Sequence, residues 1–110
     1  MKWEALGGGV SRKFLGYDNQ IMMVKVKFEK GALGAPHQHF HTQATYCVSG
    51  KFEFDIDGEK KVIEAGDGVY IEPNLLHSAV CLEEGMLIDT FSPVREDFLS
   101  GKAVSYFKDK

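Results

Sequence analysis

Val24-Lys25-Val26-Lys27-Phe28-Glu29 alternates apolar and charged residues without a break. That is the period of an extended strand with one face buried and one in water. Phe52-Glu53-Phe54-Asp55-Ile56-Asp57 repeats the pattern. Outward from these two runs, the chain is punctuated by Lys30-Gly31, Ser49-Gly50, Asp57-Gly58, Gly66-Asp67-Gly68 and Glu84-Gly85. Each reads as a turn, because glycine takes the positive φ that tight hairpins demand. No long helical stripe appears. The one helix expected is a turn or two at Arg95-Glu96-Asp97-Phe98-Leu99, after Pro93. Many short strands separated by glycine turns predict an all-β sandwich or closed barrel.

The chain has 110 residues, 44% of them hydrophobic, and a net charge of -3. These values predict one globular domain spanning residues 1–110 and exclude a disordered chain. A domain so small has a limited stability margin, which a second copy would improve. No basic excess points to nucleic acid. No apolar run is long enough to cross a bilayer, and none follows Met1–Leu6 as a secretory signal would require. The expected compartment is therefore the cytoplasm, and Cys47 and Cys81, with no CxxC spacing, are expected to be free thiols.

The sharpest chemical signal is the histidines. Three of the four, His37, His39 and His41, fall within five residues, and the fourth is His77. In an extended segment residues two apart share a face. His37 and His39 can thus aim two imidazoles at one point, and Gln43 has the parity to add an amide oxygen. His41 has the same parity and stays open on this ground. A further ligand must come from another strand, where His77 is the remaining histidine. Three nitrogens and one oxygen suit a borderline divalent ion such as Ni, Fe, Zn or Mn, with positions left open for water or substrate.

Leu87-Ile88-Asp89-Thr90-Phe91 is a further strand, with Leu87, Asp89 and Phe91 on one face. A carboxylate on an apolar face needs a reason. Either burial raises its pKa and makes it a proton shuttle, or Arg95 pairs with it as a structural ion pair.

Gly31-(x)5-His37-x-His39-(x)3-Gln43-(x)6-Gly50 resembles the first cupin motif, with Gln where that family usually has Glu. Gly66-(x)5-Glu72-Pro73-Asn74-(x)2-His77 resembles the second, with Glu72, Asn74 and Cys81 at places usually held by Pro, Gly and Asn. The resemblance implies a jelly-roll barrel with the metal inside, a dimer, and His41 in a bend pointing away from the ion. Trp3-Glu4, Gly16-Tyr17, Met22-Met23-Val24, His37–Gln43, Ser49–Phe54 and Leu87–Phe98 together resemble the small pectin-degradation cupins of the KdgF type. That likeness runs from about Trp3 to Leu99. It implies conversion of the ring form of 4,5-unsaturated galacturonate to its linear keto form, with Asp89, Phe91 and Arg95 in the catalytic pocket beside the metal. The competing expectations are a metal-dependent dioxygenase and a non-catalytic sugar-binding cupin.

Overall fold

The computed structural model describes residues 2–99. Eight strands and one helical turn follow in order: β1 (Glu4–Gly7), β2 (Val10–Tyr17), β3 (Met22–Phe28), β4 (Leu33–His37), β5 (Thr42–Ile56), β6 (Glu59–Glu64), β7 (Gly68–Ile71), β8 (His77–Ser92) and α1 (Glu96–Leu99). The alternation in β3 is realised as read. Met22, Val24, Val26 and Phe28 are buried, while Met23 and Lys27 are exposed. The helical turn lies where the sequence predicts it, starting one residue later.

All pairings are antiparallel, and the sheet runs β1-β2-β3-β8-β5-β6. β5 and β8 pair along nearly their whole length, from Thr42 opposite Ser92 to Ile56 opposite His77. Each long strand serves two walls. The C-terminal half of β8 pairs with β3, and its start pairs with β4. The first part of β5 pairs with β7 and its second part with β6. The two walls close face to face over one core that includes Met22, Val24, Phe52, Ile63, Ile71 and Leu87. Phe28 and Phe52 meet there edge to face, 5.2 Å between centroids. The strand pattern predicts a sandwich or closed barrel, and this is the jelly-roll barrel that the resemblance implies. It closes by packing and not by a continuous ladder: among the described residues β1, β4, β6 and β7 each pair on one side only.

Asp57-Gly58 is the hairpin turn expected. Ile56 faces Glu59, and the two residues between have φ of 53° and 88°, the geometry of the two-residue turn that matches strand twist. Ser49-Gly50 and Glu84-Gly85 are not turns, contrary to the sequence reading. They lie inside β5 and β8, where the register shifts and the two strands bend from one wall into the other. The backbones cross there at very close range. A Cβ on Gly50 would stand 2.5 Å from the Glu84 carbonyl oxygen, and one on Gly85 would be driven into the Ser49 carbonyl oxygen. Glycine is required by the crossing as well as by the φ of 81° at Gly50.

Cys47 and Cys81 are free, as expected, and buried. Tyr46, expected in the core or at a subunit contact, projects from the outer wall with half its surface exposed. Met23 likewise faces outward instead of packing. The apolar residues Val104, Tyr106 and Phe107, read as extra apolar surface, lie outside the described residues.

Replacing Gly50 by Ala should destabilise the fold by more than about 3 kcal/mol, from φ strain plus the clash at the crossing. Gly58→Ala, with open space around its Cβ, should cost only about 1 kcal/mol. Equilibrium urea melts of the two variants measure the difference.

Candidate metal centre and its cavity

His37 closes β4 and stands in register with His77, which opens β8. His39 follows in the short link to β5, and Gln43 is the second residue of that strand. The fold thereby gathers four residues from three strands and a link. One nitrogen from each of His37, His39 and His77 lies within 4.8 Å of the others. The rings of His37 and His77 are 4.4 Å apart, and those of His39 and His77 are 5.0 Å apart.

Hydrogen bonds orient the rings. His37 Nδ1 lies 2.7 Å from the Ala35 carbonyl oxygen and His77 Nδ1 2.9 Å from that of Leu75. A carbonyl only accepts, so each Nδ1 carries the proton and each Nε2 keeps its lone pair. His77 Nε2 is buried with no hydrogen-bond partner. His39 faces an acceptor on both sides: Nδ1 is 3.2 Å from the His41 carbonyl and Nε2 is 3.1 Å from Gln43 Oε1. A neutral ring has one proton and satisfies only one of them. The Gln43 amide cannot turn round to help, because its Nε2 donates to Thr45 Oγ1 at 3.0 Å.

The rings are neutral. Burial, then the Arg95 charge and the two neighbouring imidazoles, hold His39 down at about 3. Burial above all lowers His37 to about 4 and pulls His77 down as well. A buried lone pair without a donor and two lone pairs facing each other at about 3 Å are what a cation would resolve. This donor set fits the divalent ion that the sequence predicts. His41 is buried in the bend before β5, stacked on Phe40 at 4.0 Å, and stands outside the triad. The bend is the one that the resemblance implies.

A cavity of about 140 Å³ opens inside the barrel beside these residues. His37, Gln43, His77, Asp89, Phe91 and Arg95 all line it. The structure therefore brings the two predicted constellations together. Asp89 sits on β8 opposite Thr45 of β5. Thr45 Oγ1 donates to its Oδ1 at 2.7 Å, and Gln43 Nε2 approaches the same oxygen at 3.5 Å. Burial by the barrel walls raises its pKa to about 6, against the opposing pull of the Thr45 bond and the Arg95 charge. Arg95 acts on it only through space. The ion-pair alternative is corrected: the guanidinium is committed to Asp97, through Nε at 3.1 Å and a second nitrogen at 2.9 Å. The physical reason is proximity, since Asp97 is two residues away and shares the turn that carries Arg95. Four residues at this site escape the sequence reading: Thr45, Asp97, Arg12 and Phe98. Thr45 shares the parity of Gln43 and could have been found on that ground.

A jelly-roll barrel with an inward-facing imidazole cluster at the end of one strand, the link after it and the start of another defines the cupin class. The chain belongs to the cupin family: residues 24–90 match the Cupin domain. Within that class it is 50% identical over 99 residues to the pectin degradation protein KdgF of Dickeya dadantii (strain 3937), a match covering 88% of this chain and 90% of that protein. The solved structure of KdgF from a Halomonas species superposes with a TM-score of 0.85 at 40% identity, covering 89% of this chain and 91% of that one. An RmlC-like cupin from Shewanella frigidimarina superposes with a TM-score of 0.86 at 48% identity, covering 88% and 87%.

Purified protein should carry roughly one divalent ion per chain, and His77→Ala should lower metal affinity at least about tenfold. Elemental analysis after dialysis against a fixed free-metal buffer measures both. Chelation should also lower Tm, and metal added back should restore it.

Proposed function

We propose that this cupin is a metal-dependent enzyme of uronate breakdown that converts 4,5-unsaturated galacturonate, a product of pectin or alginate lyases, from its ring form to the linear keto form. The observation that carries the reading is that Asp89, Phe91 and Arg95 line the same cavity as His37, Gln43 and His77. The similarity to KdgF of two species, one of them a named pectin degradation protein, supplies the substrate class.

The chemistry is an isomerisation in which nothing is oxidised. The C1–O5 bond of the hemiacetal breaks, the anomeric hydroxyl gives up its proton, and the electron pair passes to the ring oxygen. The resulting enolate takes that proton at C4 and becomes a ketone. A divalent ion held by His37, His39, Gln43 and His77 would supply Lewis-acid polarisation of substrate oxygens. The chain's own residues do the rest. Asp89, desolvated and oriented by Thr45, moves the proton. Phe91, buried and 5.8 Å from the His39 ring, gives the sugar an apolar wall. Arg95, oriented by Asp97, presents its planar guanidinium to the substrate carboxylate.

The same reading takes residues 1–110 as one domain that works as a cytoplasmic homodimer. The outer wall supports a paired state. Met23, Thr90, Ala44 and Tyr70 stand in register across four strands there, with Ile88 and Tyr46 in the next row. Met23, Tyr46 and Tyr70 expose 42%, 50% and 58% of their surfaces, an apolar area that a second copy would cover.

Protein added to the unsaturated monouronate should speed the loss of its double-bond absorbance above the protein-free rate. Asp89→Asn should cut that gain by at least about 100-fold while metal content stays unchanged. A fully active Asp89→Asn chain removes Asp89 from its role, and O2 uptake with substrate removes the isomerase reading. For the dimer, sedimentation should give twice the chain mass in the native protein and the single mass for Tyr46→Glu.

A further inference from the structure

Among the thirteen basic residues only Arg12 and Arg95 are arginines. Both are buried, at 3% and 1% exposure, and both line the cavity. Lysines supply every other basic side chain. The two guanidiniums also share a neighbour. The Phe98 ring has the Arg12 guanidinium carbon 4.4 Å from its centroid and that of Arg95 4.2 Å from it.

Arg12 links three elements. It stands on β2 in register with Glu4 of β1, and its Nε donates to Glu4 Oε1 at 2.8 Å. A second nitrogen reaches the Phe98 carbonyl oxygen of α1 at 3.5 Å. The Phe14 ring packs below, with the guanidinium 5.2 Å from its centroid. Arg95 also rests on Phe91, at 5.0 Å. Four residues of helix cannot hold themselves by their own hydrogen bonds, so the place of α1 is set by what it packs against. Arg95 directly precedes α1, and Phe98 N–H donates back to its carbonyl at 3.0 Å. The position of Phe98 therefore governs that of Arg95.

We propose that Arg12 is a positioning residue: through the Phe98 ring, it holds the Arg95 guanidinium against the cavity. The β1–β2 hairpin thus takes part in the site, and its Leu6 and Arg12 line the cavity. Arginine is needed at position 12 because the planar guanidinium stacks on a ring and donates sideways at once, which an ammonium does not do. Glu4 supplies the counter-charge that makes this buried cation tolerable.

With only two arginines, the full chain gives two arginine Nε–H signals in a 15N NMR spectrum, so Arg95 can be followed directly. In Arg12→Met the Arg95 Nε–H should exchange with water at least about tenfold faster, while the backbone amides of β3 and β8 keep their protection. Phe98→Leu should do the same, and Arg12→Lys should restore only part of the protection. Unchanged Arg95 exchange in both Arg12→Met and Phe98→Leu overturns the proposal, and Phe98→Leu decides alone if Arg12→Met does not fold. A kinetic arm rests on the uronate reading above. Arg12→Met should raise KM about tenfold with kcat nearly unchanged, and should add nothing in an Arg95→Met background. Effects that multiply in the double variant overturn the coupling. Faster Arg95 exchange in a protein that turns over no uronate supports the stack and removes the proposed reaction instead.

Discussion

The register between β5 and β8 is the constraint on which the rest of the molecule depends. One antiparallel alignment sets Gln43 opposite Phe91 and Thr45 opposite Asp89, and past the shifts between Cys47 and Phe52 a register moved by one residue sets Ile56 opposite His77. Side chains alternate between the faces of a strand, so a slip of one residue in the first segment would turn Asp89 and Phe91 out of the barrel together. The first register places the carboxylate and Phe91, and the shifted one places His77. That pairing is enforced where the two strands cross at Gly50 and Gly85, whose backbones are too close to admit any side chain between them.

Burial then determines the electrostatic state of what the register has gathered. Desolvation acts in opposite senses on bases and acids, and both outcomes suit the site. The imidazoles are kept neutral, with lone pairs available for a cation. The Asp89 carboxyl is pushed towards the range in which it exchanges protons near neutrality. Thr45 and Gln43 prevent this group from becoming an unpartnered buried acid. Gln43 joins the two halves of the site, since its oxygen faces His39 while its nitrogen serves Thr45 and Asp89.

Much of this was legible in the sequence, because parity is local information. The alternation of β3 and the spacing of His37, His39 and Gln43 are readable without knowing what lies opposite. His77 followed because few histidines exist. The missing pieces all depend on non-local pairing. Ser49-Gly50 and Glu84-Gly85 look like hairpin turns, because a glycine needed for a turn and one needed for a crossing are the same letter. The partner of Asp89 is Thr45, forty-four residues away, and only the strand register reveals it. One of the two readings of Asp89 paired it with Arg95, whose guanidinium bonds Asp97 instead; in the sequence Asp97 reads as a helix-start acid, a role it also fills at the first turn of α1. Arg12 carries no signal in the sequence beyond being one of two arginines.

The strands left with a single partner have a colloidal consequence. β1, β4 and β7 are four or five residues long, too short to offer a growing fibril much of a template. β6 is the longest of these open margins, and it carries Glu59, Lys60, Lys61 and Glu64 in its six residues. A foreign strand docking there would have to dehydrate ammonium and carboxylate groups of both signs. Such charges act as gatekeepers for a protein whose interior is an apolar two-walled sheet, and they leave the outer wall around Tyr46 as the less guarded way for two molecules to meet.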